Sequence, residues 1–172
     1  MTVVDRRGVP EVERMFREHH ELVYRTAYSI LRNAADAEDV LQTVFLRLVR
    51  REATPVLHGN VKGYFYRAAV NLSLDVVRSK RRYELVADVE RFDVPVDSSE
   101  STNAERQHRR LTGALTKLTA EAVHLLLLRY AHGYSDRQIA ELLGATRGAI
   151  AVRLLRARAR LRTVMEGNGA DV

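Results

Sequence analysis

The chain has 172 residues, a formal net charge of +6 and no cysteine, which excludes disulfides and thiolate metal sites. Its pI of about 10 fits a polyanionic partner, and no apolar run approaches the roughly 18 residues of a membrane span. With only 9 glycines and 3 prolines, helix formers dominate, and the chain is predicted to be all-α, long enough for one domain or two small ones.

Residues 1 to 8 read as a loose tail. The opening MTVVDRRGVPEVERM lacks the apolar core of a signal peptide, so a soluble cytoplasmic protein is expected. Pro10 suits the first turn of a helix, which is expected to run to about Asn33. Val12, Met15, Phe16, Val23, Ala27 and Ile30 supply its apolar contacts. A second helix is expected from about Asp36 to just before Thr54-Pro55, because the residue before proline resists the helical conformation. Its core stripe is Ala37, Val40, Leu41, Val44, Phe45 and Leu48. Asp39, Gln42, Thr43, Leu46 and Arg50 point away. An outward Leu46 among polar neighbours suggests a partner surface, although single exposed leucines are common.

A third helix is expected over 61–82. At about 100° per residue, Val61, Phe65, Ala68, Ala69, Leu72 and Val76 share one face. Tyr64, Arg67, Asn71, Asp75, Arg78 and Arg82 share another. Arginines can hold a phosphate backbone, an amide can read a base edge, and an aromatic ring can stack on an unpaired base. The same set also reads as an ordinary polar face with Tyr64 at its rim. The composition then changes. Residues 84–105 hold seven acids against one base, together with Pro95 and the run DSSESTN, which is the signature of a flexible linker. It divides a first helical domain, residues 8–83, from a second, residues 106–166.

In the second domain, helices near 105–117 and 120–132 precede a helix-turn-helix. Ser135 can cap its first helix and Gln138 completes a capping box. Gly144 tolerates the left-handed conformation that ends a helix. Thr146 can cap the next helix, where Ile150, Leu154, Ala157 and Leu161 share one face. Arg153, Arg156 and Arg160 lie on the opposite side. From Gly144 to Arg162 there are six arginines and no acid, whereas an ordinary surface helix mixes signs. Neutralising phosphates releases counterions, so such a face favours DNA. The tail after Glu166 is expected to be disordered.

Enzymatic and metal signatures are not found. There is no phosphate-binding glycine loop and no nucleophile elbow. His19 and His20 are adjacent and cannot share a helical face, and His124 and His132 lack a nearby third ligand. No metal and no cofactor is expected, and the chain reads as a non-enzyme.

Three stretches now match one family in order and separation: DAEDVLQTVFLRL at 36–48, KGYFYRAAVNLSLDVVRSKRR at 62–82, and the run from Leu115 to Arg162 ending GATRGAIAVRLLRARARLR. The chain resembles the extracytoplasmic-function (ECF) sigma factors of bacterial RNA polymerase, which have a sigma-two and a sigma-four domain joined by a flexible linker. The resemblance implies a sigma factor that directs polymerase to specific promoters and helps melt the −10 region. Core RNA polymerase and promoter DNA are the implied partners, with an anti-sigma factor as a further candidate. It implies that Asp36, Glu38, Asp39, Gln42 and Leu46 dock on the polymerase clamp. It implies that Tyr64, Arg67, Asn71, Asp75, Arg78 and Arg82 read and melt the −10 element, with the loop from His58 to Lys62 capturing a flipped base. It implies that Arg147, Val152, Arg153, Arg156 and Arg160 grip the −35 element.

The chain departs from the family pattern in three places. Thr43 stands where relatives often carry an acid, which makes it a candidate phosphorylation site that would restore negative charge. The third helix has no tryptophan, leaving Tyr64 and Phe65 to substitute. Ala151-Val152 replaces a common Lys-Ser pair, which favours methyl contacts over hydrogen bonds in the groove. The alternatives are a stand-alone helix-turn-helix regulator and a sigma mimic that sequesters an antagonist.

Overall fold

The computed structural model describes residues 9–50, 60–90 and 102–167, and every described element is helical. α1 (Val9–Leu31) and α2 (Ala34–Val49) form an antiparallel hairpin. α1 stops because Arg32 adopts a left-handed φ of 52°. Asn33 then caps α2, its side chain accepting from the Asp36 N–H at 3.0 Å, which satisfies one of the orphan donors of a helix start. The expected end of the second helix near Ala53 falls among residues 51–59, outside the described residues.

α3 (Val61–Glu90) begins at Asn60, whose Oδ1 accepts from the Gly63 N–H at 2.8 Å. Its Phe65 and Ala69 join Met15, Val23 and Ala27 of α1 and Val40, Val44, Phe45 and Leu48 of α2 in a first core. The rings of Phe45 and Phe65 stack with centroids 5.0 Å apart. Phe16, on the rim of α1, meets Phe45 edge-on at 4.9 Å.

The second half starts with α4 (Asn103–Leu115), closed at its N-terminus by a reciprocal capping box between Thr102 and Glu105. α5 (Ala120–Leu126) is capped by Thr119 and continues into a π-helical turn over Leu127–Ala131. α6 (Asp136–Leu143) carries the expected Ser135–Gln138 capping box and ends at Gly144, with φ of 67°. α7 (Arg147–Gly167) follows, with the Thr146 hydroxyl accepting from the Ala149 N–H at 3.3 Å. The helix-turn-helix is therefore built by the residues that the sequence marked for it.

Two features differ from the sequence reading. α3 runs on to Glu90 instead of ending at Arg82, so the first third of the expected linker is helix. Tyr83 to Glu90 contains neither glycine nor proline, and nothing there breaks the helical ladder. Glu105 likewise lies inside α4, and residues 91–101 fall outside the described residues. The second difference concerns the cores. The face of α3 bearing Tyr66, Val70 and Leu74 packs, with Ile30 of α1, into the core of the second half among Leu115, Val123, Leu126 and Leu127. The two halves thus share a core through α3. Burying an aromatic side chain as completely as Tyr66 contributes about 1.5–3 kcal/mol, so this docking is substantial.

Candidate polymerase and nucleic-acid interface

On α2 the helical step places Glu38, Asp39, Gln42 and Leu46 on one outward arc. All four are exposed, and Leu46 keeps 49% of its surface. Val49, 48% exposed, extends the arc. Sequence reading missed it because the preceding apolar positions belong to the core stripe. Asp36 sits apart, half-buried and ion-paired with Lys80 of α3. That carboxylate ties α2 to the basic run of α3 instead of standing free. Thr43 is half-buried at the edge of the arc.

On α3 the six expected residues do share one face, but the face is divided. Asn71, Asp75, Arg78 and Arg82 are exposed. Asp75 accepts from the Arg78 guanidinium at 2.9 Å, a surface pair worth well under 1 kcal/mol that still sets the direction of Arg78. Tyr64 and Arg67 are half-buried. Burial raises the Tyr64 phenol, with Arg47 opposing. Of the stretch His58 to Lys62 expected to capture a base, residues 60–62 are among the described residues, and Asn60 and Lys62 touch the second half. The Asn60 amide donates to the Leu142 carbonyl in the last turn of α6, an acceptor that the helix itself leaves open. The Lys62 ammonium lies 5.6 Å from the centre of the Tyr134 ring, within cation–π range.

The same seam holds two histidines. Tyr66 donates its hydroxyl to the His124 carbonyl at 2.8 Å, and its ring meets those of His124 and His132 edge-on at 5.8 and 5.7 Å. His132 Nε2 lies 3.1 Å from the Thr26 hydroxyl of α1. A third histidine, His108 of α4, is 2.9 Å from the Ile30 carbonyl through Nε2. Burial lowers His124 to about 4, and Arg67 adds to the effect. Burial also lowers His132, with Arg25 second. His124 Nε2 is buried and has no hydrogen-bond partner among the described residues. The sequence identified these histidines only as poor metal ligands. Their pairing with Tyr66 is long-range and leaves no local pattern.

On α7 the five expected residues are all exposed, in an arrangement the sequence reading did not foresee. The part of the helix turned farthest from the core is a strip of small and apolar residues, Gly148, Val152, Leu155 and Ala159. Val152 and Leu155 are 49% and 62% exposed. Arg153, Arg156 and Arg160 flank it on one side, over a groove shared with Thr119 and Glu121 of α5. Arg153 is already paired with Glu121 at 2.9 Å. Arg147, Arg158 and Arg162 flank it on the other side, and Arg158 donates to the Tyr130 hydroxyl at 3.3 Å. An apolar crest between two arginine rows suits a helix that enters a major groove, with methyl contacts at its tip and phosphates along both walls.

The helices thus present three exposed stripes of different chemistry, on α2, α3 and α7. The Sigma-70 region 2 family model matches residues 15–83 and the Sigma-70 region 4 model matches residues 108–161. The chain is 30% identical over 171 residues to the ECF RNA polymerase sigma factor SigE of Mycolicibacterium smegmatis, covering 97% of this chain and 66% of that one. It is 29% identical over 160 residues to the ECF RNA polymerase sigma factor SigL of Mycobacterium tuberculosis, covering 90% and 89%. A solved structure of CnrH in complex with the cytosolic domain of CnrY is 20% identical with a TM-score of 0.48, covering 91% of this chain and 88% of that one. The chain belongs to the sigma-70 family, in its extracytoplasmic-function branch. No helix among the described residues is long and apolar enough to cross a membrane.

Proposed function

We propose that the chain is a promoter-specificity subunit of bacterial RNA polymerase that acts in the cytoplasm and by binding alone, without enzymatic chemistry. The α2 arc of Glu38, Asp39, Gln42, Leu46 and Val49 docks on the core enzyme. The α3 stripe of Asn71, Asp75, Arg78 and Arg82 meets the −10 element, and α7 meets the −35 element. Residues 8–83 and 106–166 act as the two functional domains. The observation that carries this reading is the presence on one chain of three outward stripes of different chemistry: acidic-apolar on α2, amide-and-arginine on α3, and arginine-flanked apolar on α7. A stand-alone helix-turn-helix regulator needs only the third. A sigma mimic that sequesters an antagonist needs no DNA-reading surface. An anti-sigma factor remains a candidate partner of the same surfaces. The test is run-off transcription with core polymerase on a random promoter library. Enrichment of a two-part promoter only in the presence of this chain is the expected result. Duplex binding that is indifferent to core polymerase would instead support the regulator.

A further inference from the structure

The C-terminal end of α1 meets α4, the π-helical turn and α7 over a groove that lies apart from the α2 and α3 stripes. Its volume is about 610 Å³, inside the roughly 300–1,000 Å³ of small-molecule sites. Buried Ile30, Leu115, Leu126 and Leu127 and half-buried Leu161 give it an apolar floor. Arg32, Arg158 and Arg162 line it as exposed guanidiniums, and no acidic side chain does. Glu105 belongs to an adjoining cleft with Arg32 and His108, where its carboxylate accepts from the Thr102 N–H at 3.0 Å and caps its own helix. Leu111 and Tyr130, also lining the groove, keep 38% and 62% of their surface.

We propose that this groove binds a small amphipathic carboxylate, a free single-chain acid whose apolar body lies on the leucine floor and whose head sits among Arg32, Arg158 and Arg162. Charge and surface each narrow the occupant. A guanidinium fork matches a carboxylate in shape and charge, whereas a cation would be repelled by all three arginines. A nucleotide or other polyanion would satisfy the arginines but would set polar groups against the apolar floor, at a cost in desolvation. A neutral apolar molecule would leave the charged rim unused. Arg32 is itself informative. It holds a left-handed φ of 52°, which glycine adopts without strain and a residue with a β-carbon does not, and at that position it supplies a guanidinium to the groove. Arg158 is steadied by the Tyr130 hydroxyl, to which it donates at 3.3 Å. A ligand seated here touches α1 and three elements of the second half at once, so its binding adds to the packing of the two halves.

Dodecanoate, kept below its micelle concentration, is the probe, titrated calorimetrically into the full chain. A single molecule per chain is expected to bind. Dodecyltrimethylammonium, with the same chain and the opposite charge, and acetate, with the head alone, are expected not to. Arg32→Gly removes one guanidinium and suits the left-handed position, so the variant keeps its fold while affinity for dodecanoate falls about fivefold. Arg162→Gln is expected to act in the same direction. Dodecanoate is also expected to raise the thermal midpoint of the parent, and to raise that of Arg32→Gly less. Failure of dodecanoate to bind overturns the proposal. Equal affinity in the parent and both arginine variants, or equal binding of the cation, overturns it as well, since either result describes attachment to apolar surface alone. If the unliganded chain sediments as a dimer that Leu111→Asp dissociates, a second copy fills the groove and the small-molecule site falls.

Discussion

The Tyr66 hydroxyl reaches out of α3 to the carbonyl of His124 in α5, 2.8 Å away and fully enclosed. Burial pushes the phenol upward, so it stays a proton donor at neutral pH. Tyr66→Phe keeps the ring and deletes the bond. The expected loss is about 1 kcal/mol, read as a lower urea midpoint with an unchanged slope. A variant as stable as the parent shows that the bond contributes nothing to docking.

Acid is expected to loosen the seam. His124 is lowered to about 4 by burial and by Arg67. His132 is lowered by burial and by Arg25, and it also faces Thr26, Tyr66 and Tyr134. Once the halves part, each imidazole regains a value near 6.5. The closed form therefore holds fewer protons than the open one. Its advantage is complete above about pH 6.5 and falls as the pH drops toward about 4. The thermal midpoint is expected to fall over that window. His124→Leu removes one titrating group and flattens the response, with the remainder belonging to His132. His19 is also lowered, by burial and by Lys62, with Glu18 opposing. It is half-buried, with its ring 4.9 Å from that of Phe65 of the first core, so far-ultraviolet circular dichroism is needed to separate unfolding of that half from loosening of the seam.

Core docking is expected to depend on the α2 arc. Leu46→Asp places a charge on a half-exposed apolar site and reduces polymerase binding by about tenfold or more, with thermal stability unchanged. Thr43→Glu restores negative charge at the edge of the arc and is expected to raise core affinity. Equal affinity in a competition assay ends the case for phosphorylation at Thr43.

On α7 the Glu121–Arg153 pair at 2.9 Å competes with phosphate for the guanidinium. Glu121→Gln is expected to strengthen binding to a −35 duplex and Arg153→Ala to weaken open-complex formation. Arg156→Ala removes one phosphate contact and lowers the slope of log affinity against log salt by about 0.9. A slope that does not change places Arg156 away from the phosphates.

Asn71→Ala is expected to impair melting more than polymerase binding, because Asn71 is exposed on α3 and lies outside the α2 arc. Permanganate footprinting set against core affinity measures the difference, and equal losses in both would tie Asn71 to docking.

Local chemistry carried much of this protein. The caps at Ser135 and Thr146, the left-handed Gly144 and the 3.6-residue stripes of α2, α3 and α7 each depend on residues within one or two turns, so they are legible in the chain itself. The all-α class and the arginine-rich helix-turn-helix follow from the same short-range patterns. Only the tertiary structure decided that Asp36 is tied to Lys80, that Arg153 is tied to Glu121, that the tip of α7 is apolar between two arginine rows, and that α3 continues to Glu90. It alone brought Tyr66, Val70 and Leu74 to the second half. In the sequence those three residues form one more apolar stripe, and a stripe states only that it is buried. Which partner buries it depends on the shapes of both surfaces and on contacts between residues more than fifty positions apart, such as Tyr66 with His124, and no periodicity within a single helix encodes that choice.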